Sequence, residues 1–199
     1  NDAVQSVATA QPKIVDGGVF LGEVDFDGVD DYLQTTNSDL CNLDELSVFS
    51  VLKPHNELSQ VVAFSCGSVV SGSTSYGGWM LNLNGYLNLA QFQTQAIGSG
   101  STSTVSNDVG SSDTIISYVA DFPDASTFAN GQAGTTITDN ISPNNDNNLR
   151  RRFRIGCRFT YQLASFYTQP IKEIILYTSD QSANRVAIET NINDQYNIY

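Results

Sequence analysis

Turn dipeptides arrive so often along these 199 residues that only short elements fit between most of them. Asp27-Gly28, Asn84-Gly85 and Asn130-Gly131 are pairs that accept the left-handed backbone of a tight reversal. The runs around them are short and apolar or β-rich: Val24 to Phe26, Tyr32 to Thr35, Leu46 to Lys53, Gln60 to Cys66, Ile115 to Phe122, Phe153 to Gly156 and Ile171 to Tyr177. Trp79 to Leu83 and Tyr86 to Leu89 flank Asn84-Gly85 as one hairpin. Ser126 to Ala129 and Thr135 to Thr138 flank Asn130-Gly131 as a second. The stretches from Ser68 to Gly78, Ala96 to Ser112 and Asn140 to Asn148 are rich in Ser, Gly, Thr or Asn and read as long loops. Short strands without alternating helices predict an all-β fold, a two-sheet sandwich or barrel. No composition break or repeat splits the chain, so residues 1–199 read as a single domain.

One segment has another period. Ile188, Ile192, Tyr196 and Tyr199 follow a helical spacing, downstream of Ser179-Asp180 as N-cap residues. A short C-terminal helix over about 182–199 is expected. Its apolar stripe must dock on the sheet body or on a partner.

The charge balance is 9 Lys+Arg against 21 Asp+Glu, a formal net charge of -12. That argues against nucleic acid, whose phosphates need a basic face, and against an anionic membrane surface. No run approaches the roughly 18 apolar residues of a spanning helix, and no basic-then-apolar leader opens the chain. The first residues, Asn1-Asp2-Ala3, lack Met and suggest a processed or partial chain. Hydrophobic residues at 40% suffice for a core, whereas charged residues reach only 15%. The resulting polar but weakly ionic surface suits an extracellular, particle-bound or glycan-facing protein. Cys41, Cys66 and Cys157 are odd in number and widely spaced, so reduced, buried thiols are expected, the alternative being one disulfide and one free thiol in an oxidising compartment. The only histidine, His55, sits in a polar loop after Pro54 and supports no catalytic triad or zinc site.

The order of several motifs resembles the LamG-like, concanavalin A-like lectin-glucanase jelly rolls. Val24-Asp25-Phe26-Asp27-Gly28-Val29-Asp30-Asp31-Tyr32-Leu33 is similar to the opening signature of that family. Leu46 to Pro54, Phe128-Ala129-Asn130-Gly131, Phe153 to Cys157 and Ile171 to Tyr177 resemble its later strands in order. Gln11 to Val15 and the stretches Ser179 to Arg185 and Tyr196 to Tyr199 look like domains of that type in tailed-phage virion proteins and some marine bacterial surface proteins. The resemblance implies a two-sheet antiparallel jelly-roll sandwich with a concave ligand-binding sheet. It further implies a non-enzymatic virion structural protein, in a head decoration, fibre or tail appendage. Its jelly roll would serve adhesion, lattice stabilisation or host-glycan recognition, on a particle assembled in the host cytoplasm. Partners would be other virion proteins, copies of itself in a homo-oligomer, and host-surface glycans. In such relatives a Tyr-Asp-Gln-Ser-Gly-Asn-Gly stretch precedes the point where this chain starts, so a fragment or C-terminal domain of a longer chain is expected. The alternatives are a bacterial cell-surface carbohydrate-binding module and a glycoside hydrolase of the same superfamily.

Four residue groups are candidates for function. Tyr76, Trp79, Asn82, Asn84 and Tyr86 combine aromatic faces with amides, the chemistry of sugar stacking; a core Trp is the alternative. Asp27, Asp30 and Asp31 could hold a structural calcium, no other cofactor being expected, or serve turn hydrogen bonding. Arg150, Arg152 and Arg154 alternate along one strand face and, with Ile188, Ile192, Tyr196 and Tyr199, form a candidate interface. Glu23, Asp25 and Asp27 resemble the Glu-x-Asp-x-Glu strand of jelly-roll glucanases, but the third position is a shorter Asp and the segment lies near the N-terminus. Hydrolysis needs two carboxylates on one cleft about 5–9 Å apart, and no catalytic residue is assigned.

Overall fold

The computed structural model describes residues 3–35, 40, 43–54, 60–69, 76–84, 89–95, 102–138, 151–158 and 165–199. Thirteen strands and one α-helix are defined among them. The strands are β1 (Lys13–Asp16), β2 (Val19–Asp25), β3 (Leu33–Gln34), β4 (Glu45–Leu52), β5 (Gln60–Val69), β6 (Tyr76–Asn84), β7 (Leu89–Gln95), β8 (Thr102–Asp108), β9 (Thr114–Asp121), β10 (Asp124–Ala129), β11 (Gln132–Ile137), β12 (Arg151–Ile155) and β13 (Ile171–Tyr177); the helix is α1 (Arg185–Tyr196). They build the expected two-sheet antiparallel jelly-roll sandwich. A seven-stranded sheet runs β1-β2-β13-β4-β9-β10-β11, and a six-stranded sheet runs β3-β12-β5-β6-β7-β8.

The period-two alternation of the strands explains why two sheets pack. In β6, Trp79, Leu81 and Leu83 enter the main core, which β4 meets from the other sheet with Leu46, Val48 and Leu52. Phe92 of β7 stacks on Tyr118 of β9 across the layers, ring centroids 3.6 Å apart. Phe26, 1% exposed, closes one end. It needs Gly156 beside it, because a Cβ at Gly156 would lie 2.4 Å from the Phe26 ring. The signature turn and the Ile155-Gly156 step therefore fit against each other.

The helix docks on the outer face of the seven-stranded sheet. Ile192 is buried with Phe49, Val51, Ile115 and Val119, and Ile188 and Tyr196 pack against that cluster. The stripe thus covers the chain's own sheet, the first of the two expected destinations. Tyr199 remains 55% exposed. The N-cap is Asn184, not Ser179-Asp180; Asp180 instead accepts the Ser182 amide in the preceding turn.

Two loop expectations change, and one hairpin turn is added. β5 and β6 extend into the Ser68 to Gly78 stretch, and β8 occupies much of the Ala96 to Ser112 stretch. β8 lies at a sheet edge, so its Ser- and Thr-rich sequence gives no apolar strand signal. The β1–β2 hairpin turns at Gly17-Gly18, both at positive φ (56° and 84°), a pair that the reading of turn dipeptides did not include. Of the cysteines, Cys157 is free and buried as expected, but Cys66 is disulfide-bonded, which overturns the expectation of reduced thiols at that position. Cys41, His55 and the Asn140 to Asn148 stretch lie outside the described residues.

Candidate functional site

The outer face of the six-stranded sheet carries polar residues in register. Cross-strand partners share a face, so Gln34 (β3), Arg154 (β12), Ser65 (β5), Met80 (β6) and Gln93 (β7) form one row across five strands. The next row places Val62, Asn82 and Gln91 side by side. Alternation forces this arrangement: Phe153, Cys66, Trp79, Leu81 and Phe92 are committed to the core, which turns their neighbours outward. Gln34, Arg152, Arg154, Asn84, Gln91 and Gln93 are half-buried, whereas Val62, Ser65, Met80 and Asn82 form a buried floor.

Specific bonds orient this face. The Arg152 guanidinium donates to Gln34 Oε1 at 3.1 Å. Ser65 Oγ donates to the Cys157 carbonyl at 2.8 Å. Arg154 Nη1 reaches the Arg158 carbonyl at 3.5 Å, while its buried Nε and the buried Oδ1 of Asn82 have no hydrogen-bond partner among the described residues. Burial pushes the Arg154 guanidinium below the ordinary arginine range; Cys157 opposes that shift, and the Arg152 charge adds to it. Burial also pushes the Cys157 thiol up to about 12, so it is no nucleophile at neutral pH. At such half-buried positions side-chain amides can donate to and accept from sugar hydroxyls, whereas guanidinium groups can only donate.

Several sequence candidates separate in space. Trp79 has no exposed surface; it donates Nε1–H to the Leu40 carbonyl at 2.8 Å and stacks on Phe92. It is a core residue, and the sugar-stacking assignment is corrected there. Asn82 and Asn84 do face outward from β6; Tyr76 supplies backbone to β6, and Tyr86 lies outside the described residues. Arg152 and Arg154 share the outer face as their alternation predicted, and Arg150 lies outside the described residues. Ile188, Ile192 and Tyr196 are consumed by helix docking, which corrects their assignment to an intermolecular surface. Gln34, Gln91 and Gln93 were missed: isolated glutamines carry no motif, and only strand pairing gathers them.

The three aspartates of the signature turn do converge, with one carboxylate oxygen from each within 4.8 Å of the others. Much of that grouping is turn chemistry. Asp27 Oδ1 accepts the Val29 amide at 2.8 Å and Asp31 Oδ2 accepts the Asp27 amide at 3.0 Å. Burial raises the Asp31 carboxyl above its ordinary value, against the lowering effect of its bond to the Asp27 amide.

Glu23 and Asp25 lie on the outer face of the seven-stranded sheet, opposite core-facing Val24, and Asp27 has left the strand. Neither Glu23 nor Asp25 lines either described cavity. One, about 330 Å³, lies beside Asp121, Asp124 and Asp180; the other, about 200 Å³, opens between Val24, Leu33, Ile155 and Ile171.

No family model matches this sequence, and no curated protein matches it. Solved structures match at the level of fold. The carbohydrate-binding module CBM40 of the Ruminococcus gnavus IT-sialidase, bound to α2,3-sialyllactose, superposes with a TM-score of 0.62 at 15% identity, over 74% of this chain and 84% of that one. The native heptameric SAP-like pentraxin of Limulus polyphemus gives 0.58 at 14% identity, over 83% and 79%. The NanB sialidase of Streptococcus pneumoniae gives 0.67 at 13% identity, over 83% of this chain but 27% of the enzyme. The chain is thus similar in fold to concanavalin A-like and LamG-like jelly rolls.

Proposed function

We propose that this chain is a non-enzymatic carbohydrate-binding jelly-roll module that holds saccharide on the outer face of its six-stranded sheet. The observation that carries the reading is the in-register set of half-exposed amides and guanidinium groups: Gln34, Arg152, Arg154, Asn84, Gln91 and Gln93. The fold neighbours support it, since one is a carbohydrate-binding module in complex with sialyllactose. The disulfide at Cys66 and the weakly ionic surface favour display in an oxidising, extracellular setting. The resemblance to tailed-phage virion domains makes a particle surface one such setting, with adhesion, lattice contacts or host-glycan recognition as the task. A bacterial cell surface is the other.

The test is a glycan array read beside the native mass from light scattering. A glycan-binding oligomer supports a receptor-binding appendage. A glycan-binding monomer supports a cell-surface module. Higher assembly without glycan binding overturns the carbohydrate reading in favour of a lattice protein. Gln91→Ala combined with Gln93→Ala weakens glycan binding at least tenfold without unfolding the domain, if the site is correctly placed.

A further inference from the structure

Arg154 is out of place by ordinary packing rules. Charged side chains drawn into a protein are paired with an opposite charge or fully hydrogen-bonded. Arg154 is half-buried; among the described residues its Nε, sealed from solvent, has no partner, and its one hydrogen bond is a long one to the Arg158 carbonyl. Two ion pairs of the described residues, Lys172 with Asp113 and Arg185 with Glu189, lie elsewhere. Among the described residues the groups acting electrostatically on Arg154 are Cys157, Arg152 and Tyr32, and none is a carboxylate. This occurs in a chain with 21 acidic residues against 9 basic ones, where a counter-charge would be easy to supply. The neighbouring Arg152 is oriented by Gln34 onto the same face, so two guanidinium groups stand on one strand two residues apart.

We infer that the saccharide bound by this face carries an oxyanion, a carboxylate or a sulfate ester, and that Arg154, assisted by Arg152, is the specificity-determining cation. The inference rests on the proposed carbohydrate-binding role and names its ligand class. A guanidinium offers planar, forked donors that match an oxyanion. Gln34, Gln91 and Gln93 lie on the two sides of this charge and are left to read sugar hydroxyls. An anion seated on Arg154 would supply a counter-charge that the described residues do not, so affinity and stability are coupled in a defined direction.

The experiment is isothermal titration of the whole chain and of Arg154→Met with four probes: lactose, α2,3-sialyllactose, an oligogalacturonate and lactose 3′-sulfate. Methionine keeps an apolar stem without the charge. The wild type is expected to bind at least one anionic probe tenfold or more tighter than lactose, with affinity falling as salt rises. Preference for the carboxylated probes over the sulfated one, or the reverse, identifies the source of the oxyanion. Arg154→Met is expected to lose that preference and bind the anionic probe no better than lactose, while its thermal midpoint stays level or rises. A midpoint that falls by several degrees assigns Arg154 a structural role and overturns the inference. Equal binding of neutral and anionic probes overturns it too, while the carbohydrate reading survives. If no probe binds and a broad glycan array is also blank, both fail.

Discussion

Replacing Trp79 by Phe tests whether the sole tryptophan serves the core or a ligand. The indole has no exposed surface, lies 5.5 Å from the Phe92 ring centroid and donates to the Leu40 carbonyl at 2.8 Å. Trp79→Phe removes the donor and leaves that carbonyl without it, about 1–2 kcal/mol. The smaller ring also leaves a cavity between Phe64, Phe92 and Phe153, adding about 1–2 kcal/mol. The sum of about 2–4 kcal/mol corresponds to a fall of roughly 4–16 °C in the thermal midpoint for a domain of this size. Urea unfolding followed by circular dichroism measures it in the variant, which has no tryptophan left to fluoresce. In the wild type, indole emission should be that of a buried ring, insensitive to iodide and to saccharide. A stability change below about 0.5 kcal/mol, or ready quenching by iodide in the native state, would refute the core assignment.

Alkaline pH should destabilise the fold through Tyr167, which is fully buried and donates to the Lys53 carbonyl at 2.5 Å. Burial, with a smaller contribution from Asp113, holds its phenol well above the usual value of 10.0. The unfolded chain therefore loses the proton first; the stabilisation is complete below about pH 10 and is lost as pH rises toward the folded value. Denaturant titrations from pH 8 to 11 should show that decline, and Tyr167→Phe should flatten it. Arg185 lies 3.8 Å above the Phe128 ring and is hydrogen-bonded to buried Glu189, so Arg185→Met leaves a buried carboxylate alone and should cost about 3 kcal/mol. Adding Glu189→Leu should restore most of that loss, and a double mutant no better than the single one would contradict the pairing. Calcium or a chelator should leave the thermal midpoint within about 1 °C, because the signature aspartates already cap backbone amides; a calcium-dependent rise would assign them to a metal.

Local chemistry in the sequence was enough for the elements whose signal is a repeat of period two or a turn pair. β4, β9 and β13 are rich in β-branched, aromatic and leucine residues, and the Asn130-Gly131 turn adopts the positive φ values that its dipeptide favours. The helix was legible from Ile188, Ile192 and Tyr196, because an apolar stripe has to be covered. β8 and the Gly17-Gly18 hairpin were not, since edge strands and exposed hairpins are released from the burial that writes apolar patterns into sequence.

The binding face shows where sequence stops. Alternation alone set Arg152 and Arg154 on one side of their strand and Asn82 and Asn84 on one side of theirs. Only the pairing β3-β12-β5-β6-β7 put those sides on a common surface and brought Gln34, Gln91 and Gln93 beside them. Which sheet face is solvent and which is core depends on what packs against it, and that is a long-range choice. The same choice withdrew Trp79 from any ligand and gave the helix stripe to the chain's own sheet. It also left Arg154 half-buried with no carboxylate paired to it among the described residues, a fact that no spacing of residues could reveal.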